Sequence, residues 1–246
     1  MQLHKLESTK ARLDISSDQL KKFQSLVDCQ SRNLGLSKPE VFQAIKTMDA
    51  LLWKFTFAGV HLERLWEYRQ SIDIQNVLNS SFQTHSLSSH EVTDAAIELE
   101  GFLYQTRAML DVLMLHILIS CRVDFYGKMS RKVFRKKIKD VPPPHDQKAT
   151  TAVDYLMKYV FADGMWGNFL CSLRDRIAHL DCIRPSSKSQ ETVGNTKLDW
   201  PTVDGKTFHR LTQDFENHVW DTLTTVIPPL WDQTWKSGPY IEGMWD

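Results

Sequence analysis

Apolar residues recur at every third or fourth position along most of this chain, which is the spacing of one face of a helix. The first such segment opens at Ser37, where Ser-Lys-Pro-Glu has the features of a helix start, and it continues to about Gln70. The longest segment opens near Ser89 and continues to about Phe125, with its second half apolar on nearly all sides. This longest segment is predicted to be the central helix.

A polar stretch at 76–90, rich in serine and asparagine, predicts a loop between these two helices. Later helices are expected at about 147–161, 164–180 and 208–226. Between the last two, residues 198–208 have Asp204-Gly205 near their centre, which predicts a small hairpin. The sequence therefore predicts a mainly α fold, an antiparallel helical bundle with a small β-hairpin insertion.

Three units are expected along the chain. Residues 1–35 form an N-terminal extension with a strand and a helix, and the sequence does not indicate its role. Residues 36–185 form the helical core. Residues 186–246 supply a loop, the hairpin and a C-terminal helix that packs on the core, followed by a tryptophan-rich tail that favours packing or a dimer contact over base stacking.

The balance of charge excludes two classes of protein. The 246 residues include 30 Lys and Arg and 30 Asp and Glu, so the formal net charge is zero. A globally basic protein that coats nucleic acid and an acidic disordered tail are both excluded by this balance. Any partner recognised through charge must therefore meet a local patch.

Cysteine spacing and apolar runs indicate a cytoplasmic protein. The four cysteines lie far apart, so free thiols are expected rather than disulfides or a zinc knuckle. The N-terminus lacks the apolar segment of a secretory signal. The most apolar stretch, Ala108 to Cys121, is too short to span a bilayer and contains Asp111 and His116, so we expect a buried core helix, with His116 as an interior histidine, and no membrane.

Candidate chemistry is concentrated in Cys-Ser-Leu-Arg-Asp-Arg-Ile-Ala-His-Leu-Asp-Cys at 171–182, near the end of a predicted helix. Four residues separate Arg174 from His179, and an acidic residue, Asp175, follows the arginine. This arrangement resembles the R-x(4–6)-H signature of the HEPN superfamily, in an all-α chain whose preceding long helix contains Glu100 to Asp111. The resemblance covers about residues 90–182 by motif and 38–235 by architecture.

The resemblance implies a metal-independent endoribonuclease that needs no cofactor, or a non-catalytic relative. It also implies an RNA substrate, a homodimer whose two motifs meet in one cleft, and a role in toxin–antitoxin or anti-phage systems with an antitoxin or other regulatory partner. In this scheme Arg174 stabilises the charge on the scissile phosphate, and His179 moves protons as general acid or base. The runner-up is a scaffold that binds RNA, a nucleotide or a protein without catalysis.

Helix geometry constrains how these residues can act together. At about 100° per residue, Arg174 and His179 lie roughly 140° apart around an unbroken helix. Either the helix loosens near His179, or the site is composite, with the two residues supplied by two chains. Asp175 lies four residues before His179 and shares its face, so we expect it to orient the imidazole. The alternative is that this segment is a solvated helix edge.

A polar stripe on the predicted central helix is formed by Glu100, Tyr104, Arg107 and Asp111. Because buried charges require partners, the stripe is either an internal ion pair that holds the helices in register or a support for the motif residues.

A basic run at 131–139 is a candidate RNA contact through Arg131, Lys132, Arg135 and Lys136, joined by Arg176. A solvated amphipathic helix is the alternative.

No metal site is expected, because His179 and Cys182 are too few ligands. Phosphate-loop, dinucleotide, serine-elbow and zincin motifs are absent from the sequence.

Overall fold

The computed structural model describes most of the segment from residue 38 to residue 179 and several short pieces after it. The described residues are 38–79, 89–123, 125, 127–141, 145–179, 189–192, 195–198, 202–203, 206–207, 218–219, 221–223, 225–227 and 229–230. The predicted N-terminal extension and tryptophan-rich tail lie outside these ranges, as does most of the predicted loop at 76–90. This part of the chain is mainly α, as predicted.

The helices and strands follow in this order along the chain. The helices are α1 (Lys38–Asn79), α2 (Ser89–Ser120), α3 (Arg131–Lys137) with a 3-10 turn (Ile138–Asp140), α4 (Asp146–Tyr155) with a π-helical turn (Leu156–Val160), and α5 (Trp166–His179). The strands are β1 (Ser189–Thr192), β2 (Asn195–Leu198), β3 (Thr202–Val203) and β4 (Lys206–Thr207). Helical residues recur at 218–219, 221–223, 225–227 and 229–230.

The first helix is longer than predicted. α1 continues nine residues past Gln70 and ends at Asn79, so the predicted loop at 76–90 begins too early. The reason is that the sequence contains neither glycine nor proline between Gly59 and Gly101, and polar composition alone does not end a helix.

The central helix ends five residues earlier than predicted. Arg122 has a φ of 63°, the left-handed conformation that terminates many helices. The Val123 N–H donates to the Leu118 carbonyl at 2.8 Å, and the Arg122 N–H donates to the Ile119 carbonyl at 3.0 Å. These two bonds form a Schellman motif, and Val123 and Leu118 are both buried beside it. The prediction of an end near Phe125 was wrong because this motif usually carries glycine rather than arginine.

α1 and α2 run antiparallel along each other. Polar pairs cross their interface, and in three of them the α1 partner advances by seven residues each time: Thr47 with His116, Lys54 with Gln105, and His61 with Glu98. The numbers rise on α1 and fall on α2, which sets the antiparallel register. Seven residues are about two helical turns, so these pairs follow one side of α1.

α2 contributes the most buried apolar side chains to the core, and the rest come from α1 and from the elements that follow α2, including α5, which packs on α2. The largest fully buried side chains are Phe102, Phe134, Leu51, Leu62, Leu99, Leu103, Met109, Leu110 and Leu113. His116 is fully buried as predicted, with Nδ1 3.0 Å from the Thr47 hydroxyl. Burial lowers the pKa of His116 to about 4, so the ring is neutral in the folded chain.

One stretch of α2, Asp94–Ser120, is long and apolar enough to cross a bilayer, judged by length and mean hydropathy alone. More than half of its apolar window is buried against the rest of the chain, which is also the pattern of a core helix.

The strands form two antiparallel pairs. β1 pairs with β2 from Ser189 opposite Leu198, so the loop predicted after residue 186 contains paired backbone. The segment was predicted to be a loop because its residues are mostly polar, but its threonines have β-branched side chains, which favour strands. β3 pairs with β4 through Thr202 opposite Thr207. Residues 204 and 205 lie outside the described ranges, so the turn of the predicted hairpin stays a prediction.

Candidate active site

α5 carries the motif and is held against α2 by one apolar face. Leu170, Cys171 and Leu173 are buried, and Trp166 and Ile177 pack partly into the core. This spacing of three and four residues directs Arg174 toward the edge of the α2–α5 contact. The described α-helix continues without a break to His179.

Arg174 lies on an aromatic ring of the polar stripe. Its guanidinium carbon is 4.9 Å from the centre of the Tyr104 ring, and Nη1 donates to the Asp175 carboxylate at 3.1 Å. The Arg174 side chain is 30% exposed, while its Nε is buried and has no hydrogen-bond partner among the described residues. The guanidinium is therefore fixed on one side and open to water on another.

Arg107 joins the same two helices one turn farther along α2. Its Nη1 donates to Cys171 Sγ at 2.8 Å, and its Nη2 lies 3.3 Å from Asp111 Oδ1. Arg107 therefore forms an ion pair within the polar stripe and also contacts the motif helix, α5. Cys171 was not among the predicted site residues, although its place three positions before Arg174 puts it on an adjacent part of the helix surface.

Arg174, Tyr104, Arg107, Asp111 and Cys171 form one cluster, the Arg174 cluster. Burial is the largest single influence on the pKa values of Arg107, Asp111 and Cys171. Burial raises the pKa of Asp111; Arg107 and Arg174 lower it in part, and Asp175 adds to the increase. Burial also raises the pKa of the Cys171 thiol, and the adjacent Arg107 only partly offsets this. Burial lowers the pKa of Arg107, but Cys171 and Asp111 outweigh it and the net direction is upward.

Of the predicted motif residues, the structure describes the side chain of Asp175 but not that of His179. His179 is the last residue of α5, and its side chain lies outside the described part of the chain. Asp175 is half exposed and contacts Arg174. Its predicted role in orienting His179 therefore stays a prediction. Glu100 is half-buried one turn before Tyr104 and joins none of the contacts of the Arg174 cluster.

α5 is helical up to its last residue, so the positions of Arg174 and His179 lie about 140° apart around its axis. The side chain of His179 and the residue after it lie outside the described part of the chain. A loosening of the chain near His179 and a composite site from two chains therefore both stay predictions.

The basic run begins with α3. One of the cations of α3 contacts side chains of other elements, and others are exposed to solvent. Arg131 is half-buried, donates from Nη1 to Asn168 Oδ1 at 2.7 Å and lies 5.5 Å from the Phe161 ring centre. Lys132, Arg135 and Lys136 are exposed, and so is Arg176 on α5.

No family model matches the chain, and neither a curated protein nor a solved structure is detectably similar to it.

The described residues contain no group of three or more His, Cys, Asp or Glu side chains placed to hold a metal ion. The arrangement instead offers a cation, Arg174, that is partly desolvated and oriented by an aromatic ring. Such a group can bind one phosphate through the N–H donors that face water.

Proposed function

We propose that this protein is a metal-independent endoribonuclease of the HEPN type, built as an antiparallel helical bundle with a small β-hairpin. The observation that supports this most directly is the Arg174 guanidinium, which lies over the Tyr104 ring and is still partly exposed to water. A preoriented cation of this kind stabilises charge that develops on a phosphate without reorganising.

The proposed reaction uses the RNA as its own nucleophile. The 2′-hydroxyl loses its proton and its oxygen attacks the adjacent phosphorus; the bond from phosphorus to the 5′-oxygen breaks, and that oxygen accepts a proton. The products are a 2′,3′-cyclic phosphate and a 5′-hydroxyl. His179 moves the protons, Arg174 neutralises the phosphorane charge, and Asp175 orients the imidazole.

The site is composite in this proposal, with Arg174 from one protomer and His179 from its partner. The unbroken α5 supports this arrangement, because one straight helix presents the two residues in different directions. A two-fold homodimer places two such sites in one cleft. In this proposal Tyr104 positions Arg174 from α2, and the ion pair of Arg107 with Asp111 supports the contact between α2 and α5.

RNA is proposed to reach the cleft along the exposed cations Lys132, Arg135, Lys136 and Arg176. Arg131 acts differently, since its hydrogen bond with Asn168 anchors α3 to α5. A toxin or anti-phage role and a regulatory partner rest on the resemblance of the motif, and a cytoplasmic setting rests on the cysteine spacing and the apolar runs of the sequence.

A second candidate function is a non-catalytic scaffold that binds RNA, a nucleotide or a protein. It is favoured by one observation: the cations of the cluster already pair with carboxylates of the same chain, Arg174 with Asp175 and Arg107 with Asp111. Substrate phosphate must then compete with Asp175 for Arg174.

Incubation of the purified protein with total RNA in EDTA separates the two candidates. Wild type is expected to cut, and Arg174→Ala and His179→Ala are expected to lose cutting. Arg64→Ala is the matched control, because Arg64 also pairs with a carboxylate, that of Glu98, and lies on α1. A folded wild type that leaves RNA intact, or equal cutting by all four proteins, would reject the enzyme and leave the scaffold.

A further inference from the structure

An exposed tyrosine lies in the π-helical turn that follows α4. Tyr159 is 48% exposed, and its ring centre is 5.1 Å from that of Tyr155 at a tilt of 43°. The Lys158 Nζ lies 4.9 Å from the Tyr159 ring centre. An exposed aromatic ring with a neighbouring cation is the pairing that single-stranded nucleic acids use, since bases stack on the ring and phosphates meet the cation.

This turn is joined directly to the basic helix α3. The Phe161 N–H donates to the Leu156 carbonyl at 2.8 Å and closes the turn, and Arg131 lies over the Phe161 ring. Gly167 at the start of α5 fits against the turn, because a side chain there would meet the Val160 carbonyl oxygen at 2.9 Å. Phe161 is two residues from Tyr159, so the two Cα atoms lie within about 7 Å. The first residue of α3 therefore adjoins the segment that carries Tyr159.

The exposed face of α3 is cationic and not apolar. Phe134 is fully buried, and Val133 and Ile138 pack against the core. Lys132 and Lys136 are exposed one helical turn apart, a rise of about 6 Å, which is comparable to the spacing of successive phosphates. An anionic membrane is a poorer match for this face, because interfacial helices insert apolar side chains that α3 keeps in the core.

We propose that Tyr159, Lys158 and the exposed cations of α3 form one surface that binds single-stranded RNA outside the Arg174 cluster. Tyr159 stacks on a base, and Lys132, Arg135 and Lys136 contact phosphates. This inference rests on the proposed RNA function and deepens it, because it assigns a second RNA-binding surface whose residues lie outside the Arg174 cluster.

The test is fluorescence anisotropy with the full chain carrying Arg174→Ala, so that the probe is not cut. The probes are a labelled single-stranded RNA of about 12 nucleotides and a duplex of the same sequence. Added Tyr159→Ala is expected to weaken single-strand binding about fivefold or more and to leave duplex binding within about twofold, while Tyr159→Phe retains binding. Added Arg135→Gln is expected to reduce the salt slope by about 0.7, and Lys46→Gln on α1 serves as the control for an exposed lysine.

Equal binding by the Tyr159→Ala and parent proteins would overturn the proposal, as would a duplex bound as tightly as the single strand. Displacement of the RNA by polyglutamate or by phosphatidylserine vesicles at equal charge concentration would also overturn it, since the surface would then recognise charge alone. His179→Ala provides a second uncut background if Arg174→Ala fails to fold. RNA cleavage by wild type is measured separately. If Tyr159→Ala weakens binding but wild type does not cut RNA, the nuclease proposal fails and the binding surface stands. If wild type cuts RNA but Tyr159→Ala has no effect on binding, the binding surface fails and the nuclease proposal stands.

Discussion

The guanidinium carbon of Arg174 lies 4.9 Å above the centre of the Tyr104 ring, so the motif on α5 and the polar stripe on α2 meet at a cation–π contact. The contact limits the positions available to a long side chain that would otherwise sample many rotamers. Tyr104 thereby becomes a positioning residue for Arg174 in the proposed nuclease.

Replacement of Tyr104 tests that positioning. Tyr104→Leu keeps an apolar side chain but removes the ring, and it is expected to lower RNA cleavage about two- to fivefold, matching a cation–π contact of about 0.5–1 kcal/mol. Tyr104→Phe keeps the ring and is expected to cleave like wild type. Cleavage rates are measured beside thermal unfolding curves; equal losses in the Leu and Phe variants would contradict a role for the ring.

The contributions of Arg107 and Asp111 to the free energy of unfolding are expected to be coupled, because the two side chains form an ion pair. Removing Arg107 leaves a partly buried carboxylate without its cation, so Arg107→Ala should reduce the free energy of unfolding by about 3 kcal/mol. The double variant with Asp111→Ala should lose less than the sum of the two single variants, as measured by urea unfolding. Lys137→Ala breaks an exposed pair with Asp140 and should change stability by about 0.5 kcal/mol or less. Strict additivity at Arg107 and Asp111 would contradict this account.

Gly101 is required where the ring of His61 crosses α2. A Cβ at position 101 would lie 2.5 Å from His61 Cε1, so Gly101→Ala should destabilise the fold by about 1–3 kcal/mol. The same change at an open helix position would stabilise by about 0.5–1 kcal/mol. Adding His61→Ala removes the clash and should recover much of the loss in chemical denaturation. A double variant no more stable than Gly101→Ala would show that the ring is not the obstacle.

His116 should make stability depend on pH. Its pKa is about 4 in the folded chain and 6.5 as an ordinary value, so between these limits the unfolded chain binds a proton that the folded chain does not. Stability is therefore lost as the pH falls from about 6.5 toward 4, by up to about 1.4 kcal/mol per pH unit from this group. His116→Gln should flatten the dependence across that window in urea unfolding. Identical slopes for both proteins would show that His116 is not the group responsible.

Helical spacing in the sequence predicted the helices and most residues of the Arg174 cluster. The stripe of Tyr104, Arg107 and Asp111 is visible because polar residues at helical spacing stand out on an apolar helix. The end of α2 at Ser120 was missed because the left-handed residue that follows it, Arg122, is not glycine. Likewise Asn168 and Phe161, which hold Arg131, are contacts across the fold that no local spacing encodes.

Asp175 also has a side-chain partner that helical spacing did not indicate. The adjacent residue, Arg174, donates to its carboxylate, and the expected pairing with His179 stays a prediction. Helical spacing indicates which residues share a face, but a long flexible arginine reaches beyond its own face.

The central claim is that Arg174 and His179 of two different chains form one RNA-cutting site. It is tested most directly by mixing inactive Arg174→Ala with inactive His179→Ala under conditions that exchange protomers, and measuring RNA cleavage in EDTA. Random pairing places one intact site in half of the dimers, so about a quarter of wild-type activity should return. No recovery, with mixed dimers shown to form, would contradict the composite site.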